Sequence, residues 1–158
     1  MSKIKAIPRR IIAGTKDGKS YIEKDEIITN VSKHFQGLII SDVWQTSKMP
    51  ASFEQEKPVE NSAIPTVIKN GTYFRYVQIP PDEQLGIETT AGQPHPLMHQ
   101  TKSLAHIIIL SGEIYLITDT DETLLQAGDI VIQTGTNHAW SNRSTENCVQ
   151  LAVLIDAE

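Results

Sequence analysis

The stretch MHQTKSLAHIIILSG, Met98 to Gly112, sets two histidines around the head of an apolar run that stops at Ser111-Gly112. A strand that opens a metal pocket commonly carries histidines two apart, whereas His99 and His106 are seven apart. Side chains alternate along a strand, so His99, Thr101 and Ala105 tend to one face and His106 to the other. The stretch reads as a metal-site strand whose two histidines do not share one face.

A second stretch completes the pattern. Gly128-Asp129 leads into IVIQTGTN and then into His138-Ala139-Trp140-Ser141-Asn142. Together the two stretches resemble the paired motifs of the cupin superfamily. The first family motif runs His-x-His, three or four residues, Glu, six residues, Gly. Anchored on Gly112, it puts His99 at the first histidine, Thr101 at the second and Ala105 at the glutamate. The second motif runs Gly-Asp, a strand, Pro-x-Gly-x-x-His, three residues, Asn. Gly135, His138 and Asn142 match it in register, Gln133 stands at the proline, and one residue fewer separates it from Gly128.

PRRIIAG, NGTYFRYVQIPP and LSGEIYL extend the likeness over nearly the whole chain, toward small single-domain cupin-2 type conserved barrel proteins. Membership of that group specifies no reaction. The resemblance implies an all-β fold, an antiparallel double-stranded β-helix or jelly-roll barrel with an N-terminal β extension. On this reading residues 1–71 are strands and a loop packed on the barrel, residues 72–158 are the barrel core, and the whole is one structural domain.

In metal-bearing cupins the lumen presents three imidazoles and a carboxylate, a set that suits Fe, Mn, Ni, Cu or Zn. Of those four positions only His99 and His138 keep a ligand here. A neutral Thr101 hydroxyl is a poor ligand and Ala105 supplies no donor, so one divalent transition metal would be held weakly. Two further ligands are conceivable. His106 would need a bulge to turn inward, and reads first as a core or intersheet residue. His95 sits between Pro94 and Pro96 in an irregular segment. His34, in VSKHFQG, reads as a surface residue.

Without a metal, a polar-lined barrel lumen is still the default small-molecule site. His99 and His138 would then act as general acid and base, because imidazole titrates near neutral pH. Thr101 and Trp140 are candidate substrate contacts, Trp140 as an aromatic wall or, equally, as core. In TYFRYVQI, Tyr73 and Arg75 share one parity. An inward Arg75 would clamp a substrate carboxylate; a solvated strand arginine is the plainer reading. Asn142 reads as a residue that fixes the turn after His138.

Composition sets the outer bounds. The 158 residues suit one domain, and a net charge of -5 with a pI near 5.5 argues against a nucleic-acid partner. The basic cluster Lys3, Lys5, Arg9, Arg10 reads as a solvated N-terminal segment. Cys148, the single cysteine, cannot form an internal disulfide and reads as a small core residue. MSKIKAIPRRIIAG lacks the apolar stretch of a secretory leader, and no segment reaches the ~20 apolar residues of a membrane span. The expectation is a cytoplasmic protein with a small-molecule ligand, no membrane partner and a homodimeric assembly.

Along the chain, Lys16-Asp17-Gly18-Lys19 is a hairpin signal, since Asp-Gly accepts positive φ. Short strands follow one another with turn chemistry between them, which predicts an antiparallel sandwich or barrel. EKDEIITNVSKHF is the best helix window, and a weak one. Ser47 to Gly71 is polar and proline-punctuated, a segment expected to wrap the surface or meet a partner chain. Three functions fit. One is an enzyme (lyase or decarboxylase, dehydratase, isomerase or oxygenase) acting on a small carbonyl or enol substrate. The second is a non-catalytic ligand-binding or sensor cupin with a degenerate metal site, and the third is a partner-binding barrel.

Overall fold

The computed structural model describes residues 1–33, 35–54 and 68–158. His34 and most of the proline-punctuated segment therefore lie outside the described residues. The strands run in order β1 (Arg9–Lys16), β2 (Lys19–Ile27), β3 (Ser32–Lys33), β4 (Ile39–Thr46), β5 (Thr72–Ile79), β6 (His99–Gln100), β7 (Ser103–Ser111), β8 (Glu113–Ile117), β9 (Glu122–Gln126), β10 (Ile130–Thr134), β11 (Asn137–Ser141) and β12 (Cys148–Asp156). One helical turn, α1 (Asp82–Leu85), follows β5.

β1 and β2 form the predicted hairpin, with Asp17 and Gly18 at φ 51° and 73° as a type I′ turn requires. The best helix window, a weak one, forms no α-helix among its described residues: Glu23 to Ile27 belong to β2 and Ser32–Lys33 is β3. Pairing with β1 across the tight turn outweighs a marginal helical pattern.

Two sheets face each other. The larger has the order β10-β7-β12-β5-β4-β3 and the smaller β6-β11-β8-β9. β4 precedes residue 71 yet pairs with β5 inside the larger sheet. The core between the sheets joins Ile107, Ile109 and Val131 from one to Ile114 and Leu125 from the other, with Leu116 and Trp140 packed at its border. Cys148 is fully buried in it, and burial, with Glu113 nearby, pushes its thiol up to about 12. Such a thiol is a packing residue rather than a nucleophile.

The chain passes from the larger sheet to the smaller at Gly112. Its φ is 77°, and a Cβ there would lie 2.9 Å from the Asn147 carbonyl oxygen and 3.1 Å from Cys148 Cα. Only glycine accepts both the backbone and the proximity.

In a β-ladder, residues directly opposite one another share a face. Ladder register therefore writes the lumen wall as rungs. One rung is Val131, Ile107, Ala152, Arg75 and Asp42 across β10, β7, β12, β5 and β4. The next toward the open end is Gln133, Ala105, Leu154, Tyr73 and Gln45. A bulge between Asp42 and Trp44 in β4 lets both Asp42 and Gln45 face inward.

Candidate functional site

β6 and β11 pair antiparallel with His99 directly opposite His138. The ladder thus brings the two motif histidines together, ring centroids 4.4 Å apart and planes tilted by 51°. His99 lies at the exposed mouth, whereas His138 is 4% exposed. Trp140, two residues further along β11, meets the His138 ring edge-on at 5.7 Å.

The backbone fixes the tautomer of both rings. His99 Nδ1 lies 2.9 Å from the Leu97 carbonyl oxygen and His138 Nδ1 2.8 Å from that of Thr136. A carbonyl only accepts, so each Nδ1 donates its proton, and in the neutral form of either ring Nε2 keeps a lone pair. Desolvation is the main cause that holds the His138 pKa below the ordinary imidazole value; its Thr136 hydrogen bond opposes this and neighbouring His99 adds to it. His138 is therefore a neutral base at neutral pH.

The remaining motif positions supply no third donor. Thr101 is half-buried, its Oγ1 3.1 Å from Ser103 Oγ. Ala105 is buried on the rung between Gln133 and Leu154. His106 lies on the outer face, exposed, between Ile132 and Val153 in register. His95 is buried beside Asp82 and Arg143, and burial lowers its pKa, against the opposing pull of Asp82. Asp82 accepts from Ser141 Oγ at 2.5 Å and Asn142 N at 2.9 Å, and Ser141 alternates with the inward Trp140. His95 thus packs behind β11, with the opposite tautomer: its Nδ1 accepts from Leu97 N at 3.2 Å.

These donors do not fit the metal that the resemblance implies. Two imidazoles, an engaged hydroxyl and a methyl group leave a transition ion two protein ligands where stable sites use three or four. Among the described residues no three His, Cys, Asp or Glu side chains converge as a metal group.

Arg75 points inward, 6% exposed, which corrects the reading of a solvated strand arginine. Its partner is Asp42: Nε donates to Oδ1 at 2.8 Å and Nη2 lies 3.4 Å from Oδ2. Tyr73 is buried beneath the guanidinium, which sits 5.3 Å from the ring centroid. Burial, and then Asp42, raise the Tyr73 pKa, with Arg75 opposing. Asn142 fixes the turn after β11: its Nδ2 donates to the Ile79 and Glu146 carbonyls at 2.9 and 2.8 Å.

Four polar lumen residues were not read as such in the sequence: Asp42, Gln45, Gln133 and Gln150. Gln133 and Gln150 are 6% and 4% exposed, and the Nε2 of each is enclosed without a hydrogen-bond partner. Gln133 had a visible signal, since it shares the parity of Val131. Gln150 is masked by the apolar run around it.

A cleft of about 1450 Å³ opens elsewhere, between the β1–β2 hairpin and the outer face of the larger sheet. Ile12, Trp44, Phe74 and Leu151 line it, and none of the motif residues does. Neither the His99–His138 pair nor the Arg75–Asp42 pair lines this cleft.

Residues 85–154 match the family model described as "Cupin domain". A 49-residue stretch is 49% identical to phomopsin biosynthesis cluster protein C' of Diaporthe leptostromiformis, covering 30% of this chain and 26% of that protein. Over 96 residues the chain is 31% identical to oryzines biosynthesis cluster protein J of Aspergillus oryzae, covering 60% of this chain and 48% of that protein. The chain thus spans about half or less of the length of these curated relatives. A crystal structure of a cupin 2 conserved barrel domain protein from Salinispora arenicola superposes with a TM-score of 0.47 at 16% identity, covering 81% of this chain and 82% of that one.

Proposed function

We propose, from the cupin domain that residues 85–154 match, that the barrel lumen binds a small carbonyl or enol compound and moves a proton on it. One observation supports the reading: the His99 and His138 rings lie 4.4 Å apart with both Nδ1 atoms held by backbone carbonyls, which leaves each neutral ring an Nε2 lone pair.

In the neutral state the pair is two bases, not an acid and a base. His138, kept neutral by burial, takes a proton from the carbon next to the carbonyl. The C–H electron pair moves into an enolate, whose charge gathers on the carbonyl oxygen. The new imidazolium keeps its Nδ1–H bond to Thr136 and returns the proton from Nε2 to a different atom of the substrate. His99, at the exposed mouth, accepts a hydrogen bond from the enol hydroxyl and exchanges protons with water. Isomerisation or dehydration needs nothing more, and positioned general bases of this kind contribute about 10²–10⁴-fold. Trp140 walls the site, Thr101 lies at its rim, and Tyr73 and Arg75 form the opposite side. The two biosynthesis-cluster relatives make a natural-product intermediate a reasonable substrate class, and a cytoplasmic homodimer the working assembly.

The test is exchange of the substrate's α-hydrogens for deuterium, followed by proton NMR. The native protein should accelerate it, and His138→Ala should remove the acceleration. An unchanged rate in His138→Ala would overturn the assignment. The exchange of two metal-ligand positions for Thr101 and Ala105 favours a second reading, a barrel that binds the same ligand without turnover. Ligand binding with no exchange would select it.

A further inference from the structure

The lumen wall carries no unpaired cation on its rungs among the described residues. Arg75 and Asp42 close each other, and the rung beyond Ala105 toward the open end adds a carboxylate, Asp156, opposite Ser103. A substrate carboxylate would find no free cation there, and burying a charge without a counter-charge is strongly unfavourable. The other polar groups on the rungs are neutral: the carboxamides of Gln133, Gln45 and Gln150 and the phenol of Tyr73.

Two of those carboxamides are unsatisfied. Gln133 shares its rung with Ala105, and Gln150 lies opposite Ile109 and Val77 one rung below Arg75. Folded proteins keep few buried polar atoms without partners, because each costs its desolvation. Rotation of a terminal amide brings its N–H toward the lumen at little cost.

From these observations we infer that the lumen selects an uncharged carbonyl or enol compound over the corresponding carboxylate, with Gln133 as the specificity-determining donor to its oxygen. The inference rests on the lumen being the ligand site. It departs from the expectation that Arg75 clamps a substrate acid, because Asp42 already occupies that guanidinium.

Ethyl acetoacetate and acetoacetate, titrated in parallel, test it. Binding is read from ligand saturation-transfer NMR and from the imidazole C–H signals of His99 and His138. The native protein should prefer the ester by about tenfold or more. Gln133→Met should weaken ester binding about three- to tenfold while leaving the thermal midpoint unchanged or higher, since it removes an unpartnered amide. Asp42→Asn leaves the Arg75 charge uncompensated and should turn the preference toward acetoacetate. Equal or tighter binding of acetoacetate to the native protein would overturn the inference and leave the lumen site standing. A lower midpoint in Gln133→Met would also overturn it, since the amide would then have a partner inside the protein. If neither compound moved the His99 and His138 signals, both the inference and the lumen site would fall.

Discussion

Truncating Asp42 to alanine puts the account of the Arg75–Asp42 pair at risk through stability alone. The carboxylate is the acceptor for Arg75, whose side chain is 7% exposed, and is itself 20% exposed. Removing one partner of a buried pair costs about 3–5 kcal/mol, because the remaining charge stays in a poor solvent. Two features reduce that figure here. One contact is short at 2.8 Å and the other long at 3.4 Å, and the site vacated by Asp42 admits some water to the guanidinium. About 2–3 kcal/mol is therefore expected. For a chain of this size each kcal/mol moves the thermal midpoint about 2–4 °C, giving a drop of about 4–12 °C. Urea unfolding followed by circular dichroism measures the loss directly, and its slope should not change. The double variant Asp42→Leu, Arg75→Met should recover most of the stability, since a packed apolar pair can replace a buried ion pair. An Asp42→Ala loss under about 0.5 kcal/mol would show that the pair is effectively solvated. A double variant as unstable as the single one would show that shape, not charge, is what Asp42 supplies. Either result refutes the reasoning.

Burial lowers the pKa of both His95 and His138, so the unfolded chain binds protons that the folded one does not. The native protein should lose stability as pH falls through the ordinary imidazole value of about 6.5 toward the depressed folded values. In His95→Gln, chemical denaturation across that window should give a shallower slope; an unchanged slope counts against the assignment. Tag-free protein dialysed against chelator should carry well under one equivalent of transition metal by elemental analysis, whereas Thr101→His with Ala105→Glu should gain about one. A stoichiometric ion in the native protein would contradict the donor argument. Gly112→Ala should destabilise by at least about 1–2 kcal/mol, the cost of a left-handed residue alone, and by more for the contact with Asn147. A midpoint within a degree of the native value would show that the sheet-to-sheet passage relaxes freely.

What could be read from residues, and what could not, divides along a physical line. The two family-like motifs were enough to pair the histidines, strand alternation to turn His106 outward, and the positive-φ tolerance of Asp17-Gly18 to place the hairpin. Asp42 escapes that logic. It and Gln45 are an odd number of positions apart, so alternation assigns them to opposite faces, and only the bulge at Val43 brings both inward. Gln150 follows a register shift between β12 and β7, and its apolar neighbours give no hint of which face is inner. His95 hid in an irregular segment whose direction no period describes. The exchanges at the motif nevertheless have one physical sense once the rungs are known. Ala105 stands where the family has a glutamate and is paired in register with Gln133, which stands where the family has a proline. Removing a carboxylate and adding a carboxamide on the same rung withdraws charge from the wall while keeping it polar. Thr101 in place of a histidine does the same at the rim. With Arg75 closed by Asp42, all these substitutions point one way, toward a lumen whose remaining chemistry belongs to His99 and His138 and whose ligand brings little charge of its own.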